Sequence, residues 1–405
     1  MALRVQKYGG TSVADIAHIN NVADRVQKAF DNGDKIVVVL SAMSGVTDHL
    51  ISLARQASDS PDKRELDLLL ATGEQTTAAL LSMILKSRGY KAKSFLGFQA
   101  GILTDKMSGK ARILDIDCKN LQNAVETGRI AVVAGFQGAD KEGYITTLGR
   151  GGSDTSAVAI ASSLKADICE IFTDVDGVYT TDPRICSSAR KIDRISYEEM
   201  LEMAILGAKV LQIRSVEFAK KYNVPVHVRS SFSEEEGTMV VNESKDMESV
   251  IVSGITCDMN EARITLKKVP DQPGVSARLF TPLAEAEISV DMIIQNTRSD
   301  KATDLTFTVT KDDFEKAREI SQSVADEMGA IKVQTAQEIA KVSVIGLGMK
   351  SHSGVAAKMF QALADENINI RLISTSEIRI SCVILAKYAE LAVRTLHSAF
   401  NLDQE

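Results

Sequence analysis

The chain has 405 residues, 44% of them hydrophobic and 25% charged, with 47 Lys and Arg against 54 Asp and Glu for a net charge of −7. That length implies roughly two to three domains, and the composition excludes a disordered chain, a collagen-like chain and a coiled-coil rod. An acidic balance without a single Trp argues against non-specific nucleic-acid or membrane binding and against base-stacking platforms. In chain order, near-continuous apolar runs mark strands at Ile36–Leu40, Ile130–Ala134, Ile168–Thr173 and Val226–Arg229, with a more mixed strand first at Leu3–Gln6. Such runs suit parallel strands buried on both faces. Helical patterns lie between them at Val13–Ala29, Leu66–Lys86, Thr155–Leu164 and Glu198–Tyr222. The alternation predicts an α/β sheet covered on both sides, with ligands at the carboxyl ends of the strands.

Residues 230–249, rich in Ser and Glu, read as an edge strand and a linker, with a domain boundary near 245–260. Beyond it the chain repeats itself at an offset of 80 residues. Gly274 pairs with Gly354, Phe280 with Phe360, Leu283 with Leu363, Ala284 with Ala364, Ile288 with Ile368 and Ile293 with Ile373. Each copy reads strand, Gly-containing turn, amphipathic helix, two strands and a helix. That is a ferredoxin-like βαββαβ module, twice.

The N-terminus MALRVQKYGG lacks the apolar core of a signal peptide, and no apolar run approaches the ~20 residues of a membrane span. Cys118, Cys169, Cys186, Cys257 and Cys382 are scattered without a CxxC pair and read as reduced, buried thiols of a cytosolic protein. His18, His49, His227, His352 and His397 show no metal spacing, and no nucleophile elbow or recognisable Cys/His pair is present.

Five segments carry candidate chemistry. Gln6–Ser12 places two glycines and Lys7 between the first strand and first helix, where backbone N–H groups and a cation can meet an anion; a plain turn capped by Thr11 or Ser12 is the alternative. Thr147–Thr155 repeats the device, with Arg150 inside a glycine run and Ser153 and Asp154 as natural caps. Two such turns in one sheet suggest phosphate and carboxylate binding from two sides. Thr173–Arg184 has an acidic start but no Glu in the twelfth position of a calcium loop; Tyr179 and Arg184 would suit a nucleotide base and phosphates. Ser41–Thr47 follows the second strand, and Glu74 interrupts an apolar helix, either as a solvated charge or in a half-buried role.

Taken together, KYGGTS at 7–12, SAMSGVT at 41–47, TGE at 72–74, GFQG at 135–138, TTLGRGGSDT at 146–155, TDVDGVYTTDPR at 173–184 and GAKVLQIRS at 207–215 resemble the aspartate kinases, and the duplicated tail resembles a pair of ACT amino-acid-sensing modules. No homoserine dehydrogenase extension follows residue 405, so the expectation is a monofunctional enzyme. The resemblance implies an amino-acid-kinase-like three-layer αβα sandwich with a mainly parallel sheet over 1–245, a linker over 246–262, and ACT modules over 263–340 and 341–405, the two interleaved in the sense that the final strand completes the first module. The implied reaction transfers phosphate from ATP to the side-chain carboxylate of L-aspartate at the entry to lysine, threonine and methionine synthesis. A carboxylate nucleophile needs no general base, since its reference pKa is near 3.9. By resemblance, Lys7, Gly9 and Gly10 hold phosphates, Lys7 stabilises the transition state, and Asp154 organises phosphate-binding lysines or magnesium, itself carried mainly by ATP phosphates with no dedicated protein metal site. Thr173, Asp174, Tyr179, Arg184, Lys209 and Val210 line the nucleotide site. Arg150 is the candidate for the substrate α-carboxylate and Glu74 for its α-amine, with Ser41, Thr47, Phe136 and Ser153 as pocket wall.

The tail implies effector sites for lysine and threonine. One comprises Asp271, Gly274, Val275, Ser276, Ser289, Val290, Asp291 and Gln295; the other Val355, Ala356, Asn369, Ile370, Ser376 and Glu377. The resemblance further implies a homo-oligomer, dimer or tetramer, through ACT pairing, and a short regulatory subunit started internally near Met247. Related carboxylate or nucleotide kinases, such as acetylglutamate, glutamate or uridylate kinases, are disfavoured by the tandem tail and the TGE segment. A non-catalytic sensor is disfavoured by intact Lys7, Glu74, Arg150 and Asp154.

Overall fold

The computed structural model describes residues 1–208, 210–243, 251–297, 302–350 and 352–404, so Lys209 and Met247 lie outside the described residues. The chain divides into two compact units, one of residues 1–179 and 191–248, the other of 180–190 and 249–405.

The first unit contains β1 (Leu3–Tyr8), α1 (Ile16–Asp31), β2 (Lys35–Leu40), α2 (Val46–Ala57), α3 (Lys63–Ser87), β3 (Ala92–Phe95), β4 (Ile102–Thr104), β5 (Ile113–Ile116), α4 (Lys119–Glu126), β6 (Ile130–Ala134), β7 (Gln137–Ala139), β8 (Ile145–Thr147), α5 (Gly152–Leu164), β9 (Ile168–Thr173), β10 (Val178–Tyr179), β11 (Lys191–Ile192), β12 (Arg194–Ser196), α6 (Tyr197–Ile205), α7 (Ile213–Tyr222), β13 (Val226–Ser230) and β14 (Thr238–Val241). Among the described residues these form an eight-stranded sheet in the order β12-β14-β13-β9-β1-β2-β6-β3, with β5-β4-β7-β8 as a separate four-stranded sheet. The run from β13 through β3 is parallel throughout. Period-2 alternation sends Tyr8, Val38, Leu40 and Val132 to one face, against Ile19, Val22 and Val26 of α1 and Leu81 and Leu85 of α3. The other face packs on α4 and α5. Each fully buried aliphatic side chain stabilises this core by about 1.5–3 kcal/mol.

Several elements depart from the sequence reading. The first glycine turn does not open the long helix. Gly10–Val13 is a single 3₁₀ turn, and α1 begins afterwards with the Asp15 carboxylate capping the His18 N–H. Ser153 and Asp154 are not caps; both lie in the first turn of α5, entered from Gly151 in the left-handed region at φ 70°. The helix expected over Glu198–Tyr222 is two helices, broken after Leu206 by Gly207 at φ 105°. The stretch expected as an edge strand is β14, held between β12 and β13. Helix α3 is long and apolar enough to cross a membrane by length and composition, but half of that window is buried and it carries the buried Asp67 and Glu74. It is a core helix of this unit.

The second unit contains β15 (Gly254–Pro270), α8 (Val275–Glu285), β16 (Val290–Thr297), β17 (Ala302–Thr310), α9 (Phe314–Met328), β18 (Lys332–Ile345), α10 (Val355–Asp365), β19 (Leu372–Thr375), β20 (Arg379–Leu385) and α11 (Ala389–Ala399). Among the described residues its sheet runs β16-β17-β15-β18-β20-β19. The repeat is visible in three dimensions. Gly274 and Gly354, at φ 90° and 100°, start α8 and α10. Leu283 and Ile288 pack in one core, Leu363 and Ile368 in the other. Ile293 and Ile373, in contrast, are exposed on the two edge strands.

The modules are interleaved in the sense opposite to that expected. Gly254–Asp258, ahead of the first module, pairs with Lys341–Ile345 and supplies the last strand of the second. Arg263–Lys267 pairs with Lys332–Ala336 within the first. Register shifts on either side of Glu261 mark where β15 passes from one module to the other. The excursion 180–190 also belongs to this unit. Ile255 N–H donates to Thr180 O at 2.7 Å, Arg190 Nε to Leu402 O at 3.1 Å, and Thr180 Oγ1 lies 2.9 Å from Nε2 of the fully buried His397.

Candidate active site

The loops that follow β1, β2, β6 and β9 meet at the carboxyl edge of the parallel strands. Gly9 N–H donates to Phe172 O at 3.2 Å, Ser41 N–H to Tyr8 O at 3.1 Å and Gly135 N–H to Leu40 O at 3.0 Å, so neighbouring strand ends are tied together. A parallel sheet places its ligands at this edge.

Lys7 is the last inward residue of β1 on the α5 side. Its Nζ lies 2.6 Å from Asp154 Oδ1, with both side chains about nine-tenths buried. The contact is an ion pair without an aligned hydrogen bond, since Asp154 Oδ1 has no hydrogen-bond partner. A methyl group on Gly9 would come within 3.4 Å of the same Nζ, and one on Gly10 within 3.1 Å of Ala42 O. These glycines let a cation, backbone donors and the Ser41–Thr47 loop crowd one point. A buried cation–carboxylate pair with unsatisfied valence at a glycine turn is suited to a polyanion.

Glu74 sits on the buried stripe of α3 and is 4% exposed. Oε1 accepts from Ala42 N–H at 3.0 Å, whereas Oε2 is buried without a partner. Burial pushes its pKa up to about 7, against the partly compensating Ala42 hydrogen bond. The close approach that allows this is made by Gly73, where a methyl group would lie 2.8 Å from Ala42 Cβ. Such a carboxylate is short of a cation.

Phe136 follows β6 with φ 67°, a conformation rare for an aromatic residue, and its N–H is held by Ser156 Oγ at 3.2 Å. Its ring would lie 2.8 Å from a methyl group on Gly152, and the Ser153 side chain would lie 3.0 Å from one on Gly135. Phe136 and Ser153 are thereby brought to the β6 end. Arg150 is exposed and, among the described residues, has no carboxylate within ion-pairing distance. Ser41 and Thr47 are half-buried on the loop and the first turn of α2.

Thr173 ends β9 and donates through Oγ1 to Asp174 Oδ1 at 3.0 Å. Tyr179 OH is held by both oxygens of Asp176 at 3.0 Å. Val210 is half-buried in the turn before α7, and Lys209 is outside the described residues. Arg184 lies in the 180–190 segment of the second unit, exposed and chelated by Asp182 at 2.7–3.2 Å.

In the second unit the first set of effector candidates surrounds the start of α8 and β16. Ser276 Oγ donates to Gln295 Oε1 at 3.2 Å, and Asp291 is paired with Lys341, a buried cation that also pairs with Glu261. Val355 and Ala356 open α10, Asn369 and Ile370 precede β19, and Ser376 N–H donates to Arg379 O at 2.8 Å.

Sequence reasoning passed over Asp67 and Arg214. The first is a buried carboxylate seven residues before Glu74 on the same stripe of α3, and that spacing was the available signal.

The model of the amino acid kinase family matches residues 2–230, and models of the ACT domain match 263–325 and 342–400. The chain is 56% identical to aspartate kinase Ask_LysC of Stutzerimonas stutzeri, over all of this chain and 98% of that one. Among solved structures it is similar to E. coli aspartokinase III in complex with aspartate and ADP, at 30% identity and a TM-score of 0.80, covering 98% of this chain and 99% of the other. The same E. coli enzyme in complex with lysine and aspartate, described as the T-state, gives 29% and 0.78 over 98% and 99%.

Proposed function

This chain belongs to the aspartate kinases, whose general reaction is ATP-dependent phosphorylation of aspartate, and we propose on that premise how its residues divide the work. The observation that carries the proposal is the buried Lys7–Asp154 pair at the glycine turn.

Aspartate's side-chain carboxylate is ionised at neutral pH and attacks the γ-phosphorus. One carboxylate O–P bond forms, the bond to the β-phosphate bridging oxygen breaks, and ADP leaves with 4-phospho-L-aspartate. No proton moves, so the site needs positioning and charge stabilisation only. Lys7, at the Gly9–Gly10 turn, meets the developing phosphoryl charge, and Asp154 holds Lys7 in place. Magnesium arrives with the nucleotide, held mainly through the ATP phosphates. Thr173, Asp174, Tyr179, Lys209 and Val210 take the nucleotide. Glu74 takes the substrate ammonium through Oε2, and Arg150 its α-carboxylate, with Ser41, Thr47, Phe136 and Ser153 around them.

E. coli aspartokinase III binds lysine, which supports the reading that the tandem ACT modules here bind lysine, threonine or both at the residues assigned above and inhibit the first step of lysine, threonine and methionine synthesis. Such control requires different affinity in two states. We place it in a cytoplasmic homo-oligomer paired through the ACT modules, with an internal start near Met247 supplying a short regulatory subunit.

The test is ATP-dependent acyl-phosphate formation trapped with hydroxylamine, using aspartate, glutamate and N-acetylglutamate, each with and without lysine plus threonine. Turnover of aspartate alone, reduced by the effectors, is expected. Turnover of another acid instead would overturn the Glu74 and Arg150 assignments. Turnover of aspartate unaffected by either effector would overturn the regulatory one.

A further inference from the structure

We propose that Asp67 and Arg214 are positioning residues for phosphoryl transfer: they clamp the backbone that leads into the Gly149–Gly152 turn and so hold Arg150, Ser153 and Asp154 in one arrangement. The inference rests on the reading above, in which that turn meets substrate.

Asp67 is 1% exposed. Its Oδ1 accepts from Gly109 N–H at 2.9 Å and from Thr147 Oγ1 at 2.7 Å; its Oδ2 accepts from Thr147 N–H at 3.1 Å and Gly109 N–H at 3.1 Å. Both oxygens are filled by the protein, so this carboxylate is not presented to a ligand. From the other side Arg214, in α7, donates through Nη1 to Leu148 O and through Nη2 to Ala111 O at 3.0 Å. Ala111 N–H donates to Thr147 O at 2.9 Å and closes the set. Thr147 and Leu148 are therefore held from α3 by an anion, through the Thr147 N–H and hydroxyl, and from α7 by a cation, through the Leu148 carbonyl. Arg150 follows two residues later.

Packing alone does not call for these groups. A buried charge costs several kcal/mol before its hydrogen bonds offset it, and an apolar residue of similar volume often serves stability as well. What the pair adds is a fixed backbone where the sequence is otherwise loose. Gly149 and Gly151 flank Arg150 at φ 77° and 70°, conformations that glycine supplies at the cost of stiffness. The turn also runs hard against both anchors. A methyl group on Gly149 would sit 2.9 Å from Gly109 O, and one on Gly151 would overlap Gln212, two residues before Arg214. Downstream, α5 fixes the turn through Thr155 N–H to Gly151 O at 3.1 Å. The clamp is its upstream counterpart.

The variant Asp67→Asn turns one acceptor oxygen into a donor facing backbone N–H groups. We expect the aspartate KM to rise roughly tenfold to hundredfold, the scale of an ångström-level misplacement, with the ATP KM changed less than about twofold, because the phosphates rest on Lys7, Gly9 and Gly10. Hydrogen exchange at 105–112 and 145–150 should quicken while the β1, β2 and β6 amides stay protected; Arg214→Lys should give the same pattern more weakly. Arg150→Lys is measured beside it. If Arg150→Lys raises the aspartate KM but Asp67→Asn changes neither KM nor local exchange, the clamp is overturned and the substrate reading stands. If Arg150→Lys leaves the KM unchanged, the substrate reading fails, and the clamp's role in transfer falls with it, whatever the exchange shows. Proportionate loss of every parameter with global exchange would make Asp67 a stability residue only. Should Asp67→Asn fail to fold, Thr147→Val removes the hydroxyl donor alone; a wild-type aspartate KM there overturns the proposal.

Discussion

Glu74 makes the sharpest demand on the proposed substrate pocket. Its carboxyl is buried, one oxygen unpartnered, and burial lifts its pKa to about 7 from an ordinary 4.5. The carboxyl groups of aspartate ionise well below that value. Below pH 7 the free enzyme therefore holds a neutral Glu74, which cannot pair with the substrate ammonium. The kcat/KM for aspartate reports the free enzyme, so with a pKa of about 7 it should fall about fivefold between pH 7 and pH 6 and level off above pH 8. Stability should move the other way. The folded pKa lies above the unfolded one, so the native state binds more protons between these values and the ligand-free enzyme loses stability as pH rises from about 4.5 through 7. The 2.5-unit difference, at ~1.36 kcal/mol per unit, bounds that loss at about 3 kcal/mol. Glu74→Gln keeps the Ala42 hydrogen bond and removes the titration. It should raise the aspartate KM by roughly tenfold to hundredfold, the scale of a charge-assisted hydrogen bond, flatten the acid limb and stabilise the free protein at pH 8. The assay is hydroxylamine-trapped turnover from pH 6 to 8.5, with thermal unfolding at the same pH values. An acid limb that survives in Glu74→Gln would refute the assignment.

Three further outcomes follow from the geometry. Lys7→Ala should lower kcat by about two orders of magnitude or more while the ATP KM changes severalfold, because the proposed role of Lys7 is on charge that develops in the transition state; single-turnover kinetics at saturating ATP would show otherwise if Lys7 only binds ground-state ATP. Gly135→Ala would push a methyl group to 3.0 Å from both Ser153 and Leu40 O; the overpacking costs about 1–3 kcal/mol, and the aspartate KM should rise with it, a result that an unchanged KM would contradict. Burial lowers the pKa of His397, which is in contact with Thr180. The stability this contributes is complete above about pH 6.5 and is lost as pH falls through the lower folded value. Unfolding of the second unit followed from pH 7.5 to 5 should show that loss, and His397→Asn should remove it.

The sequence by itself determined the alternating strands and helices, the two glycine turns and the duplicated tail. These are written in local periods of 2 and 3.6 residues and in a fixed offset, which need no knowledge of distant partners. Ile130–Ala134 and Ile168–Thr173 are strands with the bounds read from the sequence. Lys7, Glu74, Arg150 and Asp154 stood out because a charge inside a glycine run or an apolar stripe is out of place. Only the tertiary structure decided what those charges meet. The Lys7–Asp154 pair, the orphan oxygen of Glu74 and the hold of Asp67 and Arg214 on Thr147 and Leu148 join residues 32 to 147 positions apart. No local pattern encodes such a pairing, since it exists only once loop-closure entropy has been overcome by the packed core. The same reason explains why Gly254–Asp258 completes the second module rather than the first, and why residues 180–190, which leave and re-enter the first unit between β10 and β11, fold with the second. A strand's sequence states that it will pair, and the competition among distant edges determines with which partner.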